Sequence, residues 1–181
     1  DVYKRQDYIY PCIDIGHIAI RYCQLFYASK HSGKDICKLD PFMPNLREYI
    51  DDINDAVSYA HEKSLKFIEK VLAMGHDKVH FHLHDAHPLS IYSIYGVSDH
   101  LSFLKQVALP FAVNGTNLLH GIYGVEGLRS IKEMIGSSSS EVSAMMEVHP
   151  QPGRLPLDGF EEIFSHWACL EHAEEMNYWL G

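Results

Sequence analysis

The sequence predicts an α/β fold of parallel strands with outer helices, either part of a (β/α)8 barrel or a small open sheet. Three observations carry that expectation. Apolar runs of strand length alternate with segments of helical periodicity, the order that implies parallel strands with helices outside. Each of the three strand candidates ends in acidic or imidazole side chains, at the edge where α/β proteins build their sites. The 181 residues fall short of the ~250 that a whole (β/α)8 barrel usually takes.

Taken in order, Tyr8–Ile15 is rich in Tyr, Ile and Cys and reads as a buried strand that ends in the turn Asp14-Ile15-Gly16-His17. Arg21 to Pro44 is mixed, punctuated by Gly33, Pro41 and Pro44, with room for one short helix. Asn45 is placed to cap a long helix in which Leu46, Tyr49, Ile50, Ile53, Val57, Ala60, Phe67, Ile68, Val71 and Leu72 repeat at three or four residues, and Gly75 ends it. Lys78–Asp85 is the second strand. A long loop with His87-Pro88 and Gly96 follows, closed by a short helical segment at Leu101–Val107. Leu128–Ile135 is a helix and Ser137–Ser140 its exit. The third strand is Ala144–Val148, and His149-Pro150, Pro152, Gly153 and Pro156 make a loop. Asp158 and Glu161 resemble a capping box that opens a last amphipathic helix with Phe160, Ile163, Phe164, Trp167 and Leu170.

Composition narrows the function classes. Hydrophobic residues are 46% and charged residues 22%, an ordinary globular balance, and no apolar run approaches the roughly 18 residues of a membrane helix. A formal charge of −9 argues against broad phosphate-driven binding of nucleic acid. Cys12, Cys23, Cys37 and Cys169 show no CxxC spacing, which suits a reducing cytoplasm. The chain begins without Met or a signal peptide, so residues 1–7 are expected to be a non-native or unstructured start, and residues 8–181 one piece of a larger domain. Nothing matches GxGxxG, a phosphate-loop lysine motif or GxSxG. Asn114-Gly115-Thr116 matches a glycosylation sequon, read as chance.

The 13 histidines are conspicuous because three of them alternate. In Val79-His80-Phe81-His82-Leu83-His84-Asp85 the apolar side chains face one way and His80, His82 and His84 the other. Such a row is costly inside a protein unless the rings are hydrogen-bonded or ligate a metal; on a half-exposed strand it is merely polar surface. Asp14-x-x-His17 aims an acid and an imidazole from a turning strand end, and Glu147 follows the apolar run Ala144-Met145-Met146. Two carboxylates and an imidazole form a mixed oxygen and nitrogen set suited to Mn²⁺, Zn²⁺, Mg²⁺ or Co²⁺. Asp99 and His100 stand either as further ligands or as the start of a short helix. His87, in the long loop, and His149 and Arg154, after the last glutamate, are placed to touch substrate.

The series Asp14-x-x-His17, Phe81-His82-Leu83-His84-Asp85, Asp99-His100 and Met146-Glu147-Val148 resembles the xylose-isomerase-like TIM barrels. That superfamily holds sugar phosphate isomerases and epimerases and the class II abasic-site endonucleases. The resemblance spans about residues 8–170 and implies the last part of a (β/α)8 TIM barrel, its final three strands, without the earlier glutamate ligand. It implies Asp14, His82 and Glu147 as metal ligands, with His100 and Asp99 as lesser ones. His17 would bind substrate in the isomerase branch or a second metal in the endonuclease branch, and His84 would join the substrate site. Two departures narrow it. The endonuclease branch carries Asp-x-His where this chain has Ser98-Asp99-His100, and the epimerase arginine beyond the strand histidine is replaced by Pro88.

The function so implied is a divalent-metal-dependent isomerase or epimerase of a sugar or sugar phosphate, with Glu147 and His17 as catalytic groups and no membrane or nucleic-acid partner. Assembly into several copies stays open. The rivals are a metal-dependent phosphoester hydrolase and a non-catalytic or inactive fragment.

Overall fold

The computed structural model describes residues 10–41, 43–91, 100–104, 107–113, 116–148 and 173–181. Strand β1 (Cys12–Asp14) passes directly into helix α1 (Ile15–Lys30). Asp14 makes that junction: its extended backbone ends the strand, and its Oδ1 accepts the His17 backbone N–H at 3.0 Å, capping α1. Ile15, Gly16, Ala19, Ile20, Cys23 and Tyr27 form the buried stripe of α1. The mixed stretch from Arg21 thus begins inside a full-length helix. Its aromatic and β-branched residues are modest helix formers, and burial of one face decides the outcome.

Two 3₁₀ turns, Ile36–Lys38 and Leu46–Tyr49, lead to helix α2 (Ile50–Leu72). Asn45 precedes the second 3₁₀ turn without a side-chain capping bond, so the long helix starts later than the sequence predicts. Asp51 and Asp52 in its first turn and Lys70 in its last complement the helix dipole. Gly75 takes a φ of +73° just beyond its end, a conformation that favours glycine. Small residues let α1 and α2 approach: Cys23 Sγ lies 3.5 Å from the Ala56 carbonyl oxygen, and Phe26 stacks on Tyr59.

Strand β2 (Lys78–Leu83) follows, then helix α3 (Pro88–Ile91), strands β3 (Val107–Val113) and β4 (Thr116–Leu119), helix α4 (Gly124–Gly136) and strand β5 (Glu141–Met146). Residues 173–180 are helical. The main sheet is parallel, in the order β1-β2-β5, while β3 and β4 form a separate antiparallel pair. Cys12, Ile13 and Asp14 stand opposite His80, Phe81 and His82, and His80, Phe81 and His82 stand opposite Ser143, Ala144 and Met145.

Alternation sorts the sheet into two faces. Ile13, Val79, Phe81, Leu83 and Met146 are buried in the core together with the helices' apolar stripes. Cys12, Asp14, His80, His82, Ser143 and Met145 occupy the other face, where each is half-buried or exposed.

The strands do not form part of a TIM barrel; they form a small open sheet of three. Closure needs successive strand–helix units whose strands pair around a ring. Here the chain between β2 and β5 is spent partly on the β3–β4 hairpin, and among the described residues β1 and β5 each pair on one side only. The described part of Leu101–Val107, residues 101–104 and Val107, is not helical either. Leu101 exchanges two backbone hydrogen bonds with Asp85, and Val107 opens β3. The expected helix from Phe160 to Leu170 and the start at residues 1–7 lie outside the described residues.

Candidate metal centre

The carboxyl ends of the three parallel strands bring together residues far apart in the chain. Asp14 and His82 are register neighbours on β1 and β2. Glu147 extends β5 by one residue and holds its place through a backbone hydrogen bond to the Leu83 carbonyl oxygen (2.9 Å). As a result one donor atom from each of Asp14, His82 and Glu147 lies within 4.8 Å of the others. His82 Nδ1 is 3.3 Å from Glu147 Oε2, and His100 Nε2 approaches the same oxygen at 3.6 Å.

Beside this group, His17, His84 and His100 form another set whose ring nitrogens fall within 4.8 Å of one another. Asp14 touches it twice, with Oδ2 2.8 Å from His17 Nδ1 and Oδ1 2.8 Å from His84 Nε2. His84 is fully buried and stacks on His100 with centroids 4.0 Å apart. Its Nδ1 lies 3.0 Å from the Asp85 carbonyl oxygen. Both ring nitrogens of His84 therefore lie against oxygen atoms, which fixes the orientation of the ring. Burial pushes the Asp14 carboxyl up, but hydrogen bonds from His84 and the His17 backbone, with the charges of both rings, outweigh it and bring it to about 2. Asp14 is thus a carboxylate held ready at any ordinary pH.

Backbone positions make room for these groups. A Cβ on Gly16 would sit 2.1 Å from His84 Cε1, so glycine in the first turn of α1 is what lets the imidazole lie there. Tyr123 Oη donates to the Ile15 carbonyl oxygen at 2.8 Å and pins the same turn.

Asp85 is not part of the open site. It is buried, accepting the backbone N–H groups of Ala86 (2.7 Å), Tyr123 (3.0 Å) and Gly124 (2.7 Å), and so fastens the start of α4. Burial raises its carboxyl to about 6 against the pull of those N–H groups. His87 is buried as well, accepts the Leu89 N–H at Nδ1, and is lowered to about 4 by burial. The sequence placed His87 in a loop to touch substrate; the structure buries its ring. Asp99, His149 and Arg154 lie outside the described residues.

Sequence reasoning passed over Cys12 and Tyr123. For Cys12 the signal was present, since it precedes Asp14 by two residues and therefore shares its face. A cavity of about 590 Å³ lies elsewhere, between the carboxyl ends of α2 and α4, lined by Glu69, Leu72, Ser130, Glu133 and Met134. It has none of the imidazoles of the strand-end cluster.

Among the described residues no helix is long and apolar enough to cross a membrane. Comparison with protein families, with curated proteins and with solved structures finds no match.

Proposed function

We propose that the chain binds a divalent cation through Asp14, His82 and Glu147 and belongs to an enzyme that moves a proton on a sugar or sugar-like polyol, as an isomerase or epimerase. The convergence of those three side chains from three separate strands carries the reading. Two carboxylates with one imidazole suit Mn²⁺, Zn²⁺, Mg²⁺ or Co²⁺. A cation there supplies Lewis acidity that polarises a carbonyl and eases negative charge on adjacent oxygens.

The protein's own groups supply the rest. Asp14 Oδ2 lies 2.8 Å from His17 Nδ1 and orients that ring at the site. His17 is about half exposed, so substrate can reach it. His84 and the first turn of α1 hold the Asp14 carboxylate in place. Glu147, about one-quarter exposed, offers a second carboxylate for the returning proton. The likeness of the motif series to the sugar isomerases supports narrowing cation binding to this reaction class. Cys12 and Cys23 form no disulfide among the described residues, which supports a reducing cytoplasmic setting.

A metal-dependent phosphoester hydrolase is the second reading. It is favoured by His17 and His100, which lie beside the strand-end carboxylates and offer further imidazoles toward a second cation. Titration calorimetry with Mn²⁺ separates the two. One ion per chain, lost in Asp14→Ala, His82→Ala and Glu147→Ala, supports the first, and solvent-deuterium incorporation into aldose or ketose then tests the chemistry. Two ions per chain with release of phosphate from a phosphoester supports the second. No saturable binding at all sinks both.

A further inference from the structure

The sheet face that ends in the carboxylates carries a different donor set one step back along the strands. Cys12 stands opposite His80 in the register, and His82 follows His80 on the same face. A donor atom from each of Cys12, His80 and His82 lies within 4.8 Å of the others. Cys12 is exposed, and His80 and His82 are half-buried, so an ion can enter from solvent. His80 is already oriented: its Nδ1 shares a 2.8 Å hydrogen bond with Ser143 Oγ. Metal-ligating histidines are characteristically held this way by the other ring nitrogen. Met145, the register neighbour of His82, adds an exposed thioether to the same face.

We propose that Cys12, His80 and His82 form a second cation site of soft character, selective for a thiophilic ion such as Zn²⁺, Co²⁺ or Cu⁺, that competes with the strand-end site for His82. A thiolate and imidazoles prefer such ions, whereas Asp14 and Glu147 suit harder ones. Binding releases the Cys12 thiol proton to solvent as the Sγ–metal bond forms. Because His82 belongs to both groups, an ion on Cys12 and His80 withdraws the imidazole that Asp14 and Glu147 need. The competition rests on the function proposed above; the thiolate site itself does not.

Titration with Co²⁺ tests the site through the near-ultraviolet thiolate-to-cobalt charge-transfer band. The band is expected in the unaltered chain, in Cys37→Ser, in Cys169→Ser and in Asp14→Asn, and is expected to vanish in Cys12→Ser. No thiolate band at saturation, or one that survives Cys12→Ser, overturns the site. An independent check on the unaltered chain is alkylation of Cys12 read by mass spectrometry, expected to slow at least tenfold with Zn²⁺; an unchanged rate overturns it equally. Competition is read as release of bound Mn²⁺, seen by electron paramagnetic resonance, at a Zn²⁺ concentration that leaves Mn²⁺ bound in Cys12→Ser; equal release in both overturns it. Retained Mn²⁺ alongside an occupied Cys12 site overturns the competition. Failure of the chain to bind Mn²⁺ at all removes the strand-end site and leaves the cobalt result standing by itself.

Discussion

At the scale of single residues, His84 helps to hold the Asp14 carboxylate charged and in place. The imidazole is buried between Asp14 Oδ1 and the Asp85 carbonyl oxygen. A Gln at this position keeps a donor but loses the second bond and the rigid ring. His84→Gln is therefore expected to weaken Mn²⁺ binding by about 10- to 100-fold, the usual effect of losing a group that orients a ligand, measured by calorimetry. His87 and Asp85 make opposing contributions to the pH dependence of stability. His87 is depressed from 6.5 to about 4, so the unfolded chain takes up its proton first, and stability is lost as pH falls through that range. Asp85 is raised from 3.8 to about 6, so the folded chain holds its proton more tightly, and stability is lost as pH rises through that range. Each contribution is roughly 3 kcal/mol at most. Urea unfolding of His87→Gln between pH 4 and 6 should show stability rising toward acid, whereas Asp85→Asn should show it falling.

At the scale of elements, Gly16 and Asp85 are where the packing is least forgiving. Alanine inside a helix is ordinarily better than glycine by about 1 kcal/mol. Gly16→Ala is expected to reverse that sign and destabilise by about 1–3 kcal/mol, because its Cβ would collide with the His84 ring. Denaturant midpoints measure it. Asp85→Asn should cost about 2 kcal/mol at neutral pH, since one end of the amide sets a donor against the backbone N–H of Tyr123 or Gly124. These same elements show what the sequence can and cannot disclose. The Val79 to Leu83 alternation made β2 and its two faces legible, and the three-or-four spacing from Ile50 to Leu72 made α2 legible. Helix α1 was hidden because Asp14 joins it to β1 with no turn residues between. The β3–β4 pair was signalled by Asn114-Gly115, a strong two-residue hairpin pair in sequence, whose only noted match was a sequon attributed to chance. The site residues stood out by type, but whether a strand-end acid faces the cluster or caps a helix, as Asp14 and Asp85 differ, depends on tertiary packing that periodicity does not encode.

At the scale of the molecule, one side of the sheet is an apolar layer shared with the helices and the other is a strip of donor atoms. A net charge of −9 favours approach of cations to that strip, and the effect weakens as salt is added. Occupancy should feed back on folding. With Mn²⁺ at 100 times its Kd the folded state gains about 2.7 kcal/mol, visible as a raised thermal midpoint that chelation or His82→Ala abolishes. The junction at Asp14 gives this linkage a mechanical route. Its Oδ1 also tethers the His17 amide, with no intervening residue to absorb a shift. Ion capture and release would thus tug on the first turn of α1, and hydrogen–deuterium exchange at that amide becomes a gauge of occupancy.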